Sequence, residues 1–287
     1  MDNLITFTEY FKEHRNDFDA VLFDIDGTLS LGKVPINGAK ELIGYLDEIN
    51  FPYLYLTNDS CNAPAQKAAY MNQAGIPAKP ERFLSAGHAL KLWAAENYHG
   101  GTYFLLGTMG DPSYVELAGI PYTKDPEAAP GCSGVICGEG AYNWQPSIEA
   151  AFNLLLKHPE YPIIVANPDS YWASLRTSGW GIGAGAVTRF ICQVLKDAGK
   201  EVAPVYLGKP YTPIYKCAFP FLKSFFPEAD FNDPRRLIMV GDNLTSDIAG
   251  ARANGLSSAL VLTGVTGREL LAQAAEDQKP DLVFSSI

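Results

Sequence analysis

The feature that most constrains the fold is an alternation of short apolar, β-rich runs with helix-like stretches. Runs such as "AVLFDID", "FPYLYLTND", "TYFLLGT", "YPIIVANPD" and "RLIMVGDN" each end in a turn or a polar residue. Helix-like stretches lie between most of them, among them residues 38–49, 148–156 and 186–198. Strands that alternate with helices form parallel sheets with helices on their faces. The sequence therefore predicts an α/β fold built on a Rossmann-like, doubly wound parallel sheet.

Polar side chains follow these strands at four places along the chain. They are Asp24 with Asp26, the segment 57–60, Lys209, and the segment 242–247. Ligands of open α/β sheets bind at the carboxyl ends of the strands. We therefore expect the four groups to meet at one sheet edge, although they are far apart in sequence.

The middle of the chain indicates a second domain. The strands between residues 103 and 169 carry no comparable polar cluster, so we interpret them as an insertion with a small sheet of its own. The predicted division is a core of residues 1–85 and 187–287, with an inserted α/β cap at residues 86–186.

Composition excludes several classes of protein. With 287 residues, of which 47% are hydrophobic, the chain can bury a large core. A net charge of −10 argues against nucleic-acid binding, which needs a basic surface. The first twenty residues carry charges throughout, and no run approaches the roughly 20 apolar residues of a membrane helix. We expect a cytoplasmic protein that binds neither nucleic acid nor membrane.

Asp24 and Asp26 indicate a cation site. They project to the same side of a strand, and two adjacent carboxylates either share a proton or bind a cation. Asp242, Asn243 and Asp247 add further oxygen ligands. Mg²⁺ prefers such oxygen ligands, whereas the thiolate and imidazole ligands of zinc are missing from these clusters. The sequence therefore predicts a Mg²⁺ site.

The neighbouring residues suit a phosphoryl group. Gly27 permits a backbone turn whose N–H faces an anion, Thr57 offers a hydroxyl group, and Asn58 offers an amide. Lys209 offers a positive charge. Beside a metal, one aspartate can attack phosphorus as a nucleophile, and a second carboxylate can protonate the leaving oxygen and later activate water.

The four motifs "DIDGTL", "LTNDS", "GKP" and "GDNLTSDI", in this order, resemble those of the haloacid dehalogenase (HAD) superfamily of phosphohydrolases. The stretch "ANPD" before a Gly-rich segment and the stretch "LVLTGVT" are similar to subfamily IIA. That branch holds NagD-like nucleotide phosphatases, 4-nitrophenylphosphatases, phosphoglycolate phosphatases and pyridoxal phosphate phosphatases. Its members carry a large α/β cap between the second and third motifs, where the insertion is predicted.

The resemblance implies a role for each matching residue. Asp24 is the nucleophile and Asp26 the general acid and base. Mg²⁺ is held by Asp24, the backbone carbonyl of Asp26, and Asp242, while Asp247 supports it without direct contact or through a water. The residues that bind the phosphoryl group are Thr57, Asn58 and Lys209. Dehalogenases of the superfamily lack an acid equivalent to Asp26, so its presence favours a phosphatase.

The leading hypothesis is therefore a Mg²⁺-dependent phosphatase. It would hydrolyse monoesters of small phosphorylated metabolites through an aspartyl-phosphate intermediate. Two alternatives share the same core: a non-catalytic phosphate sensor, similar to a receiver module, and a phosphotransferase that uses another acceptor. Relatives often pair through their caps, so the resemblance also predicts a homodimer through the cap.

Overall fold

The computed structural model describes residues 4–140, 143–174 and 179–287. Its strands are β1 (Ala20–Phe23), β2 (Ser30–Leu31), β3 (Val34–Pro35), β4 (Tyr53–Thr57), β5 (Phe83–Ser85), β6 (Tyr103–Leu106), β7 (Tyr122–Thr123), β8 (Val135–Cys137), β9 (Ile163–Val165), β10 (Tyr171–Ser174), β11 (Gly179–Ile182), β12 (Val205–Tyr206), β13 (Leu237–Gly241), β14 (Ser257–Val261) and β15 (Leu282–Phe284). Its α-helices are α1 (Phe7–His14), α2 (Ala39–Glu48), α3 (Pro64–Gln73), α4 (Ala89–Asn97), α5 (Tyr114–Leu117), α6 (Trp144–Lys157), α7 (Ala184–Asp197), α8 (Thr212–Phe225), α9 (Ala249–Ala253) and α10 (Arg268–Ala272). Within these described ranges, no helix is long and apolar enough to cross a membrane.

The chain divides into two compact units. The first unit comprises Met1–Thr57, Pro64–Leu84 and Lys209–Ile287. The second comprises Asn58–Ala63 and Ser85–Gly208. Each unit has its own parallel sheet and its own hydrophobic core.

The first unit is built on a six-stranded sheet in the order β15-β14-β13-β1-β4-β5. Strand β1 is central: Leu22 pairs in parallel with Met239 on one side and with Leu54 on the other. All four residues of β1 are buried, as expected for a strand covered on both faces. Strand order reverses between β1 and β13, and the carboxyl ends at such a switch point are where ligands of open α/β sheets bind.

The second unit is built on a five-stranded sheet in the order β12-β9-β8-β6-β7, in which the paired strands run parallel. Its strand order reverses between β6 and β8. Helices α6 and α7 contribute Leu155, Ile191 and Leu195 to its core. Strands β10 and β11 form a separate antiparallel hairpin. The prediction of a Rossmann-like α/β core with an inserted α/β cap is confirmed.

The predicted end of the cap differs from the structure. The sequence put the boundary after residue 186, whereas the second unit continues to Gly208. The physical reason is that β12 pairs with β9, Val205 opposite Ile164 and Tyr206 opposite Val165, so this strand extends the second sheet. The stretch "APVYLGKP" was instead expected to supply a strand to the core sheet, because Lys209 lies at its carboxyl end.

Candidate active site

The loop after β1 holds the two aspartates of the first motif. The backbone N–H of Asp24 donates to the carbonyl of Val240 on β13 at 2.9 Å, which ties the loop to the neighbouring strand. The loop then turns back, and the N–H of Gly27 donates to the carbonyl of Ser30 at 2.8 Å. The side chain of Asp24 is 15% exposed, and Asp26 is exposed. At the end of this buried strand, Asp26 is therefore open to solvent and Asp24 is partly open.

Gly27 has a different role from the one predicted. Its N–H was expected to face an anion, but this N–H donates within the loop to Ser30, so that prediction is wrong. Gly27 has φ of +91°, and a Cβ at this position would lie 2.3 Å from Oδ2 of Asp242. Glycine is required because it permits both the positive φ and the close approach of the loop to Asp242.

Asp242 lies at the other side of the switch point, directly after β13. Its side chain is buried, and Oδ2 accepts a hydrogen bond from the N–H of Val265 at 2.6 Å. Burial raises the pKa of this carboxyl well above its usual value, and the negative charges of Asp24 and Asp247 raise it further. A nearby cation would relieve this repulsion.

Asp247 lies in a π-helical turn, Leu244–Ile248, that begins after the cap residue Asn243. Oδ2 of Asp247 accepts from the N–H of Asn243 at 3.1 Å. Burial raises the pKa of Asp247 to about 7, although the positive charge of Lys209 acts in the opposite direction. The turn thus places a buried carboxylate at the same edge of the six-stranded sheet.

Lys209 joins two of the aspartates. Its Nζ donates to Oδ1 of Asp24 at 2.6 Å and to Oδ1 of Asp247 at 2.7 Å, and its side chain is only 2% exposed. Burial alone would lower the pKa of this ammonium group, but the two carboxylates outweigh burial and raise it. Lys209 therefore remains protonated. The expectation that it ends a core strand is wrong, because β12 belongs to the second sheet and the chain returns to the first unit at Lys209 itself.

Three carboxylates form a cluster that fits a divalent cation. Asp24, Asp242 and Asp247 each offer one oxygen, and these oxygens lie within 4.8 Å of one another. Three carboxylates and the ammonium group of Lys209 carry a formal net charge of −2, which a divalent cation would neutralise. Oxygen-only donors suit Mg²⁺ rather than zinc.

The cluster differs in one respect from the predicted ligand set. Asp247 was expected to stand behind the metal ligands, and the structure groups its carboxylate with the other two. Both of its oxygens also accept hydrogen bonds, from Lys209 and from the N–H of Asn243. The backbone carbonyl of Asp26 stays a predicted ligand.

The second motif contributes Thr57 and Asn58. Thr57 ends β4 and is 5% exposed. Asn58 is the next residue along the chain, belongs to the second unit, and is equally buried. Its Nδ2 donates to Oδ2 of Asp169 at 3.2 Å. The predicted role of both residues in phosphate binding stays a prediction.

Comparisons with known proteins agree with this geometry. A model of the haloacid dehalogenase-like hydrolase family matches residues 21–121, and a HAD-hydrolase-like model matches residues 206–287. The two matched segments include every residue of the aspartate and lysine cluster. The chain belongs to the haloacid dehalogenase superfamily, in its subfamily IIA.

Relatives in this superfamily match along nearly the whole chain. An acid sugar phosphatase of Staphylococcus haemolyticus is 28% identical over 271 residues, which cover 94% of this chain and 94% of that protein. The p-nitrophenyl phosphatase of Archaeoglobus fulgidus superposes with a TM-score of 0.76 at 25% identity, covering 94% and 97% of the two chains. A glycerol phosphate phosphatase from Mycobacterium tuberculosis in complex with magnesium shares the fold, with a TM-score of 0.75 at 23% identity and coverage of 94% and 76%. The prediction that this HAD protein is a hydrolase of the phosphatase class is confirmed.

The turn after β14 completes the environment of Asp242. It lies in the stretch "LVLTGVT", which was matched to the family but was assigned no role in the site. The hydroxyl of Thr263 donates to the carbonyl of Gly27 at 2.6 Å, and Val265 donates its N–H to Asp242. Between them, a Cβ at Gly264 would lie 1.8 Å from Oδ2 of Asp242. The signal that could have found this turn is its position: it follows another strand of the same sheet and contains a glycine.

Proposed function

We propose that this HAD protein is a Mg²⁺-dependent phosphatase that hydrolyses small-molecule phosphate monoesters through an aspartyl phosphate on Asp24. The observation that carries the proposal is the bonding of buried Lys209 to both Asp24 and Asp247, within hydrogen-bond distance. This arrangement holds a partly exposed carboxylate next to a permanent positive charge. A phosphate monoester carries the opposite charge and would be attracted to it.

The residues that would hold Mg²⁺ are Asp24 and Asp242, with Asp247 beside them. The excess negative charge of the cluster and its oxygen-only donors support this assignment. When bound, Mg²⁺ would supply positive charge that offsets the repulsion between the carboxylates and the substrate phosphate.

The first step would transfer the phosphoryl group to the enzyme. Thr57, Asn58 and Lys209 would bind the phosphate oxygens, and a carboxylate oxygen of Asp24 would attack phosphorus. The bond between phosphorus and the ester oxygen breaks as the new bond to Asp24 forms. The carboxylic acid of Asp26 would give its proton to the ester oxygen, which leaves as an alcohol. The exposure of the Asp26 side chain supports this role, because the acid must reach the leaving group.

The second step would restore the enzyme. The carboxylate of Asp26 would take a proton from a water molecule, whose oxygen attacks phosphorus. The bond between phosphorus and Asp24 then breaks, which releases inorganic phosphate and returns the Asp24 carboxylate. Asp26 is again protonated, so it is ready for the next substrate.

The substrate would be a small phosphorylated metabolite. The net charge of −10 gives no support to a nucleic-acid substrate. The names of the relatives support a small ester, since they describe an acid sugar phosphatase, a p-nitrophenyl phosphatase and a glycerol phosphate phosphatase.

The proposal is tested by measuring release of inorganic phosphate from a panel of phosphorylated metabolites and from 4-nitrophenyl phosphate. Reactions would contain either Mg²⁺ or EDTA, and the wild type would be compared with Asp24→Asn. We expect many turnovers with Mg²⁺, almost none in EDTA, and a loss of about 10⁴-fold or more in kcat for the variant.

Asp19→Asn is a matched control for this experiment. Asp19 precedes the same strand at its other end, where it pairs with Arg236, so its loss should leave kcat unchanged. Absence of release from every substrate by folded protein would contradict the proposal and favour a phosphate sensor. Transfer of the phosphoryl group to added alcohols in preference to water would favour a phosphotransferase.

A further inference from the structure

The carboxyl edge of the second sheet carries a polar network that the sequence analysis did not predict. The strands between residues 103 and 169 were expected to lack such a cluster, and that expectation is wrong. Glu139 follows β8, and Asn167 and Asp169 follow β9. Together with Asn58, they form a chain of hydrogen bonds inside the second unit.

The network begins at a fixed anchor, Glu139. Its backbone carbonyl accepts from the N–H of Thr108 at 2.6 Å, and its own N–H donates to the carbonyl of Thr108 at 3.0 Å. Gly107 has φ of +76°, and a Cβ at this position would lie 2.4 Å from the Glu139 carbonyl oxygen. The backbone of Glu139 is therefore held on both sides, and its side chain starts from a defined position.

Asn167 links Glu139 to Asp169. Its Nδ2 donates to Oε1 of Glu139 at 2.6 Å, and its Oδ1 accepts from the backbone N–H of Asp169 at 2.9 Å. Asn167 is 4% exposed, so its ends of both bonds are buried. The guanidinium group of Arg189 further holds this segment by two bonds of 3.2 Å to the carbonyl of Pro168.

Asp169 completes the network by orienting Asn58. An ionised carboxylate only accepts hydrogen bonds, so the Nδ2 end of the Asn58 amide must face Asp169. The opposite end of the amide faces Gly208, where a Cβ would lie 2.5 Å from Oδ1 of Asn58. The orientation of the amide is therefore defined at both ends. Asn58 follows Thr57, and Gly208 precedes Lys209, so the residues that define this orientation are chain neighbours of two predicted phosphate-binding residues.

We propose that Asp169 is a positioning residue of the phosphatase reaction: held by Asn167 and Glu139, it fixes the side-chain amide of Asn58 in the orientation that binds phosphate. The inference rests on the proposed function, because it requires that Asn58 bind the substrate phosphate. It assigns Asp169 no contact with the reacting atoms. Its effect on the reaction passes entirely through Asn58.

A double-mutant cycle in the full-length protein tests this dependence. The variants are Asp169→Ala, Asn58→Ala and the double variant, assayed for kcat/KM with 4-nitrophenyl phosphate and for inhibition by inorganic phosphate. We expect losses in kcat/KM of about 10-fold for Asp169→Ala and about 10²-fold for Asn58→Ala. The double variant should match Asn58→Ala, because Asp169 has nothing left to position. Independent roles would instead multiply to a loss of about 10³-fold.

Two further variants separate positioning from simple structural support. Asp169→Asn keeps an acceptor oxygen for Asn58, and it should recover most of the activity lost in Asp169→Ala. Asp281→Ala is a matched control, because the Asp281 carboxylate also accepts hydrogen bonds. Its Oδ2 accepts from the backbone N–H of Ser258 at 2.8 Å and from the Ser258 hydroxyl at 2.7 Å. This control variant should lower Tm and leave kcat/KM and phosphate inhibition unchanged.

The outcomes distinguish this inference from the proposed function. An inactive wild type that also fails to bind inorganic phosphate would overturn the proposed function and, with it, the role of Asn58. An active wild type whose Asp169→Ala variant keeps full kcat/KM, or whose two losses multiply, would overturn the positioning role alone.

Discussion

The two parallel sheets of this protein have the same kind of switch point but opposite chemistry there. In the six-stranded sheet, the switch lies between β1 and β13, whose ends carry Asp24 and Asp242. In the five-stranded sheet, it lies between β6 and β8, whose ends carry Thr108 and Glu139. The carboxyl edge of the six-stranded sheet, the first edge, carries carboxylates that repel one another. The carboxyl edge of the five-stranded sheet, the second edge, is closed by two backbone hydrogen bonds between Thr108 and Glu139.

The difference shows that topology provides a place for a site and that unsatisfied charge determines its chemistry. In the second sheet, Asn167 donates to the Glu139 carboxylate and accepts from the backbone N–H of Asp169, so the polar groups bind one another. In the first sheet, Lys209 compensates only part of the charge of three carboxylates. The first edge therefore calls for an additional cation, whereas the second is a support made of neutral and charge-assisted hydrogen bonds.

The largest effect is expected at the first edge, from Lys209→Ala. Its loss leaves the buried Asp247 and the partly exposed Asp24 without their shared partner, which should lower the free energy of unfolding in EDTA by about 3 kcal/mol or more. The loss of the phosphate-binding charge should lower kcat/KM by about 10³-fold with Mg²⁺. Urea unfolding and steady-state kinetics would measure the two effects.

Lys79→Ala provides the control, because Lys79 pairs with Asp47 while its side chain is 49% exposed. That variant should cost less than about 1 kcal/mol and leave activity unchanged. Equal destabilisation by the two variants would contradict the claim that buried charge distinguishes the first edge.

A smaller effect should follow from Gly27→Ala. The added Cβ would meet the Asp242 carboxylate and displace it, which should lower kcat/KM by about 10²-fold. Gly75→Ala is matched in backbone strain, because Gly75 has φ of +84°, but nothing lies within 4 Å of its Cβ position. It should lower Tm alone. Loss of activity in both variants would show that strain, not contact with Asp242, is the cause.

The next effect concerns stability as a function of pH. The pKa of Asp247 is raised to about 7 from an ordinary value of 3.8, so the folded protein binds this proton more tightly than the unfolded chain does. The stabilisation from this group is complete below about pH 4 and is lost as pH rises through about 7. In EDTA, the free energy of unfolding should therefore decrease over that range through this group, and Asp247→Asn should remove much of the slope.

Mg²⁺ should reverse this trend, because it binds the ionised carboxylates and competes with protons. At about 100 times its Kd, the ion should stabilise the protein by about 2.7 kcal/mol near pH 7.5, with a smaller gain near pH 5. Thermal unfolding with Mg²⁺ or EDTA at both pH values would measure this. A gain in Tm that is equal at the two pH values would place the ion away from the carboxylate cluster.

The smallest effect should come from the second edge, in Glu139→Gln. The glutamine keeps an oxygen that accepts from Asn167, so only the charge assistance of a 2.6 Å hydrogen bond is lost. We expect kcat/KM to fall by no more than about 3-fold. A loss as large as that of Lys209→Ala would mean that the second edge carries reactive chemistry, and the contrast between the two edges would fail.

The sequence predicted the first edge better than the second for physical reasons. An apolar run that ends in Asp24 and Asp26 can be recognised from one short segment of sequence, because the strand and its polar end are adjacent in the chain. The strand that precedes Lys209, β12, has only two residues, and nothing in its local sequence indicates that it pairs with β9 of the second sheet. The network of the second edge joins residues 28 and 111 positions apart, so single-residue patterns did not reveal it.

The central claim is that Asp24 becomes phosphorylated during turnover. The most direct test is to react Asp26→Asn, in which breakdown of the intermediate should be slow, with a ³²P-labelled monoester and Mg²⁺, to quench with acid, and to map the label. We predict a hydroxylamine-sensitive phosphoryl group on the peptide that contains Asp24, and its absence from Asp24→Asn. Steady turnover by the wild type with no label on Asp24 in either the wild type or Asp26→Asn would contradict the account.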